Sequence, residues 1–153
     1  MINIINQEVS CSCGQSKFII HGKLLTRFIC HCQICQKIYK DNSADILVFS
    51  KNSITLMNYT TIQFKKHRLP PAVNRGVCLN CLQPVVGFMS LIPFVNIAFV
   101  PAMHLKQTNI VLKPSAHVFY HRRIQDSYDD FPKLSGYLRS QLFLSKQILI
   151  NIK

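Results

Sequence analysis

Acidic residues are scarce in this chain: six Asp and Glu stand against eighteen Lys and Arg, a formal charge of +12 over 153 residues. Only 16% of the residues are charged and 48% are hydrophobic, which excludes extensive disorder and favours a compact fold. The length suits one domain with a moderate core. An excess of cations of this size attracts anions, whether nucleic acid, acidic lipid or an anionic small molecule. Long basic runs are absent, however. Lys23, Arg27, Lys51, Lys65, Lys66, Arg75, Lys106, Arg122, Arg123 and Lys146 are spread along the chain. Diffuse solvated charge is therefore the favoured reading and a nucleic-acid surface the second. Seven thiolates around two divalent cations would still leave the chain strongly basic.

The start, MINIINQEVSCSCG, lacks the basic residues and unbroken apolar stretch of a secretory signal, so a cytoplasmic protein is expected. Pro84 to Leu105 lacks Lys, Arg, Asp and Glu across 22 residues, long enough to raise a membrane-spanning alternative. Pro93, Asn96 and Pro101 weigh against it. The segment reads instead as two buried strands, Val85 to Met89 and Val95 to Val100, and no transmembrane segment is expected.

What the chain does contain is a series of short apolar runs bounded by turn formers. Ser16 to His21, Asp45 to Ser50, Ser53 to Tyr59, Thr61 to Lys65 and His117 to Tyr120 join the two just named as predicted strands. No helical period persists over three turns before residue 133, so the fold class is mainly β, built of small antiparallel sheets. Repeats and low-complexity segments are absent. A boundary is expected near residue 133, with a zinc-binding domain over 1–133 and a tail over 134–153. In the tail, Leu134, Tyr137, Leu138, Gln141, Leu142 and Ser145 share a helical face, which predicts a short amphipathic helix followed by an extended end. Its Leu and Ile residues need cover from the domain or from a second subunit, so the tail is the candidate surface for an oligomer. An interfacial membrane helix is the less common alternative.

Seven cysteines, an odd number in a reducing compartment, argue for metal or redox chemistry over a disulfide framework. They fall in three groups: Cys11-x-Cys13, Cys30-x-Cys32-x-x-Cys35 and Cys78-x-x-Cys81. Structural zinc takes four ligands, and the first and last pairs could complete a four-thiolate site that closes a long loop. Cys30, Cys32 and Cys35 are one ligand short of that. Three protein ligands with an open fourth position is the arrangement of a catalytic zinc, and thiolates favour zinc or copper(I) over magnesium or calcium. Free buried thiols at the outer pairs and a redox Cys32-x-x-Cys35 pair are the competing readings. In an extended segment His31 points opposite to Cys30 and Cys32, which favours packing or substrate contact over ligation. His67, within KKHR, reads as solvated. No general base stands out among His21, His31, His67, His104, His117 and His121.

The ordered set CSCG (Cys11 to Gly14), CHCQIC (Cys30 to Cys35), CLNC (Cys78 to Cys81), PSAHVFY and DDFPKLSGY resembles the glutathione-dependent formaldehyde-activating family, the S-(hydroxymethyl)glutathione synthases and their relatives. The resemblance covers roughly residues 9 to 133 and rests on the order of the three cysteine groups. It implies a β-tent fold, two zinc ions, and a carbon-sulfur lyase that combines glutathione and formaldehyde, or a related small aldehyde, reversibly. Carried over by position, Cys11, Cys13, Cys78 and Cys81 match the structural zinc ligands. Cys30, Cys32 and Cys35 match the catalytic ones, whose zinc is the labile one of the two. Three positions depart from the family pattern: Leu82 where Gly usually follows the last cysteine, Val77 where an aromatic precedes that motif, and Tyr128 in place of a Trp, in a chain with no Trp. For such an enzyme Lys37, Arg68 and Arg75 are the candidates to meet the two carboxylates of glutathione. Two rivals stand beside it: a non-catalytic, zinc-stabilised module that binds glutathione or a partner, and a thiol redox protein.

Overall fold

The structure, a computed structural model, describes residues 3–70, 72–92, 95–106, 109–110 and 112–152. Strands β1 (Ile4–Ser10), β2 (Lys17–Lys23), β3 (Thr26–Cys30), β4 (Ala44–Ser50), β5 (Ile54–Leu56), β6 (Ile62–Lys66), β7 (Asn74–Cys78), β8 (Pro84–Ile92), β9 (Val95–Pro101) and β10 (His117–Val118) form two sheets. The smaller is antiparallel, in the order β1-β2-β5; the larger runs β10-β3-β4-β9-β8-β7-β6. Only the short β10 joins its neighbour in parallel, setting Val118 opposite Cys30. Helices α1 (Gln33–Tyr39) and α2 (Tyr137–Asn151) complete the fold, which is mainly β as the sequence predicts.

The large sheet is covered on both faces, and β4 shows why its sequence ADILVFS is a nearly continuous apolar run. Leu47 and Phe49 point into one core, with Val9, Phe18 and Ile20 of the small sheet. Ile46 and Val48 point into a second, with Phe28, Val118, Leu144 and Ile148. Alternation along one strand thus feeds two hydrophobic layers, which removes the usual polar face. The uncharged Pro84 to Leu105 segment contains the β8–β9 hairpin, although Pro93 lies outside the described residues. Among the described residues no helix is long and apolar enough to cross a membrane.

Three strands escape the sequence pattern: β1, β3 and β7. In β7, Gly76 interrupts the apolar alternation because β6 and β8 close in on it. A Cβ there would lie 2.7 Å from Ile62 Cγ2 and 2.9 Å from the Val86 carbonyl oxygen. In β3, Arg27 faces Asp45 of β4 through paired bonds of 2.9 and 2.6 Å and also donates to the Leu112 carbonyl at 3.1 Å. One of the few carboxylates is therefore spent on joining two strands to a loop.

The tail forms a helix with a different inward face from the expected one. Ser140, Leu144 and Ile148, spaced four apart, are buried, whereas Leu138 and Leu142 are 69% and 62% exposed. The Ser140 hydroxyl accepts the Phe119 N–H at 2.9 Å and reaches the Leu134 carbonyl at 3.4 Å. A polar residue on the buried stripe hides that stripe in a hydropathy pattern. The helix also continues to Asn151, where an extended end was expected, and Lys23 donates to the Asn151 carbonyl at 2.9 Å. A cation at a helix C-terminus satisfies an orphan carbonyl and opposes the helix dipole. Ile148→Ala should therefore lower the unfolding free energy by about 2–4 kcal/mol in urea denaturation, and Leu138→Ala by no more than about 0.5 kcal/mol. The reverse order would restore the face read from the sequence.

Candidate metal centres and the adjoining cavity

Two turns build the first sulfur cluster. After β1 the chain reverses through Cys11 to Gly14, with the Gly14 N–H on the Cys11 carbonyl at 3.0 Å and Gly14 at φ +77°. After β7 it reverses through Cys78 to Leu82, with the Leu82 N–H on the Cys78 carbonyl at 2.9 Å. The Ser12 N–H donates across to Gln83 Oε1 at 2.9 Å, locking one turn to the other. The Sγ atoms of Cys11 and Cys13 lie 3.4 Å apart, those of Cys13 and Cys78 lie 3.6 Å apart, and the four including Cys81 fall within 4.8 Å of one another. A tetrahedron with sulfur about 2.3 Å from its centre has edges of about 3.8 Å, so the four donors fit zinc. Burial raises the Cys78 thiol, but the Cys81 and Asn80 N–H groups and the Ser16 hydroxyl outweigh it and bring it down to about 6.

Leu82 stands where the resemblance leads one to expect glycine, and its φ of +61° shows what the turn demands. A side chain in the left-handed region costs about 1–2 kcal/mol, whereas glycine costs about 0.5–1 kcal/mol in chain entropy. The departure is thus borne as local strain, with the sulfur set intact. Leu82 is 55% exposed and gives up little burial when removed. Leu82→Gly should raise stability by about 1 kcal/mol in thermal denaturation of the zinc-loaded protein; a loss of stability would mean that the leucine side chain holds the turn.

The second cluster sits in the other core. Cys30 ends β3 between Ala44 and Val118, Cys32 caps α1 by accepting the Cys35 N–H at 3.4 Å, and Cys35 lies buried in the helix. Their sulfurs lie within 4.8 Å of one another. Hydrogen bonds from Cys30 and Cys35 hold the Cys32 thiol down to about 2 despite its burial, while the same Cys32 bond and burial push Cys30 up. Three sulfurs so close share one negative charge readily, and a cation among them is what lets all three ionise. The set fits a zinc held by three thiolates.

His31, between two of these cysteines, turns away from them. It packs edge-on to Tyr120, and its Nε2 lies 2.8 Å from His117 Nδ1. His117 Nε2 in turn lies 2.8 and 3.0 Å from the Asp129 carboxylate oxygens, and Lys133 donates to Asp129 at 3.2 Å. The carboxylate accepts only, so His117 carries its proton on Nε2, accepts at Nδ1, and obliges His31 to donate from Nε2. His31 Nδ1 is then a bare acceptor, buried and without a partner among the described residues. Burial, and after it His117, holds His31 down to about 4, so it stays neutral. Gln36 fixes the same segment by donating to the carbonyls of His31 at 2.8 Å and Arg122 at 2.9 Å. Asp129→Ala would strand the buried His117 N–H. It should cost about 1–3 kcal/mol by urea denaturation, and a neutral effect would mean that water replaces the carboxylate.

A cavity of about 290 Å³ adjoins the three sulfurs. Of the residues expected to bind substrate, Arg68 and Arg75 line it and Lys37 lies on α1 outside the lining. Arg68 stacks on the Tyr137 ring at 4.9 Å and donates to its hydroxyl. Burial lowers Arg75, but the charge of Cys35, Cys32 and Cys30 outweighs it and keeps the guanidinium cationic. His67 is exposed, as expected, and lines the cavity together with the exposed His121, Arg122 and Tyr137, none of which the sequence tied to the cysteine site. Tyr128 is 93% exposed and does not line the cavity.

Fold and sulfur sets together define a mainly β protein with two cysteine clusters suited to zinc. The sequence profile of the glutathione-dependent formaldehyde-activating enzyme family matches residues 6–122, which contain both clusters, and the chain belongs to that family. Among curated proteins, none matches the chain.

Proposed function

We propose that this protein is a carbon-sulfur lyase that joins glutathione to formaldehyde or a related small aldehyde, and releases them again, at Cys30, Cys32 and Cys35. The observation that carries the reading is the three-sulfur set, one ligand short of closed, at the wall of a cavity that also holds Arg68 and Arg75. A zinc bound there supplies an open coordination position that favours an anionic donor. The protein's own groups orient the partners. Arg68 and Arg75 meet the glutathione carboxylates through charge-assisted hydrogen bonds, and the walls exclude water from the reacting atoms. In the reaction, a sulfur lone pair attacks the carbonyl carbon, the π pair passes to oxygen, and the thiol proton ends on that oxygen. No electron donor or acceptor is consumed. The four cysteines at 11, 13, 78 and 81 hold the structural zinc, and the protein is cytoplasmic, where glutathione is abundant.

The redox reading draws support from the low Cys32 thiol and is separated by the same experiment. With two zinc ions bound, the protein should accelerate exchange between free glutathione and its formaldehyde adduct, followed by exchange NMR. Cys32→Ser should reduce the metal content from two zinc ions to one, keep the far-UV circular dichroism, and return exchange to the uncatalysed rate. Full exchange in the variant, or a reversible disulfide in place of the second zinc, would overturn the lyase reading.

A further inference from the structure

We infer that the aldehyde handled by this site carries an apolar chain, and that helix α2 supplies part of the wall that selects it. The inference rests on the thiol–aldehyde reading and goes beyond it in naming the substrate class. The cavity has two ends of different chemistry. Its outer residues His67, Arg68 and Arg122 are exposed and basic. Its buried side chains, apart from the cysteines, are apolar: Phe28, Ile46 and Leu144 are 3%, 2% and 8% exposed, and the half-buried Met89, Phe99 and Phe119 continue the surface.

This polarity orders the substrate. The carboxylates of the thiol belong with Arg68 and with the half-buried Arg75, which stands near the sulfurs, and its sulfur belongs beside Cys30, Cys32 and Cys35. The carbon added to that sulfur then faces the apolar end. For formaldehyde that carbon bears a hydroxyl and two hydrogens, which would leave the apolar volume unfilled. Burying a polar group without a partner costs about 1–3 kcal/mol, whereas each methylene placed there contributes about 0.8 kcal/mol. An alkyl or aryl aldehyde therefore fits better than formaldehyde. The addition still balances: R–SH and R′CHO give R–S–CH(OH)R′, with one C–S bond formed, the carbonyl π bond broken and the thiol proton moved to oxygen. Tyr137, Gln141 and Leu144 of α2 line the cavity and lie beyond residue 122, where the family match ends. Part of the selecting wall thus belongs to a segment outside the shared part of the family.

The test uses inert thioethers in place of adducts. S-methylglutathione and S-butylglutathione are titrated calorimetrically into the zinc-loaded protein, with competition by glutathione itself. We expect the butyl compound to bind at least tenfold more tightly and to be displaced by glutathione, since about 0.8 kcal/mol per methylene is roughly fourfold for each. Leu144→Phe, which fills the apolar end, should weaken the butyl compound more than the methyl compound and so narrow the ratio between them. Met89→Phe, at a half-buried position, serves the same purpose if the helix rejects the first change. Equal or tighter binding of the methyl compound overturns the apolar-chain inference and leaves the thiol–aldehyde reading standing. Binding of neither thioether, nor of glutathione, overturns both.

Discussion

Sulfur crowding is the constraint on which this structure turns. Seven thiols are drawn into two groups whose sulfurs lie within 4.8 Å of one another, closer than ionised thiolates tolerate without a cation. One group offers four donors, enough to close the shell of a tetrahedral zinc. In the other, three donors leave it open. The two clusters thus differ by one ligand, which is what separates a closed zinc site from an open one. The fold sets it just after Cys30, where His117 pulls His31 away from the sulfurs.

That pull depends on a carboxylate far away in sequence. Asp129 accepts from His117, His117 accepts from His31, and each imidazole is left with only one tautomer that satisfies its neighbour. His31 is thereby held as a packing element with its Nδ1 buried, and its ring nitrogens are not among the donors of the three-sulfur cluster. The chain has six acidic residues, and two of them, Asp45 and Asp129, act as acceptors that fix the strands and the loop around the open cluster. Acid scarcity elsewhere leaves Arg75 without an ion pair among the described residues, so its charge faces the cavity.

The two sulfur clusters were legible in the sequence because Cys-x-Cys and Cys-x-x-Cys turns are local signals, and the order of the groups carried the family. The central strands were legible for a similar reason: ADILVFS and VNIAFVP are apolar enough to announce themselves. β7 was not, because Gly76 answers a close approach between strands that no window of sequence contains. The histidine chain was hidden for the same reason, since His31 and His117 are 86 residues apart and meet only through the β3–β10 pairing. On α2 the outward leucines were the stronger hydropathy signal, and Ser140, which satisfies two backbone groups from inside, masked the true face. Arg68 and Arg75 were inferred as basic residues near the cysteine groups. Lys37, chosen by the same proximity, shows why nearness in sequence is a weak guide: it shares a helix with Cys35 yet lies outside the cavity wall.

The placement of the two clusters in separate cores has a physical consequence. Cys11 and Cys78 pack with the layer between the sheets, whereas Cys30 and Cys35 pack with the layer under α2. The large sheet stands between them, with β4 and β9 contributing alternate residues to each layer. A change in coordination at the open cluster is felt first by α1, by the His31 segment and by the side chains of the second core, because those are its contacts. A metal in the four-cysteine cluster would tie β1 to β7 across the 65-position separation of Cys13 and Cys78 and hold the first core and the sheet in register. Exchange of ligands at one centre is thus compatible with a fixed framework at the other. On the proposed function that separation matters, because a single zinc that held both the chain closure and the thiol would open the fold at each turnover.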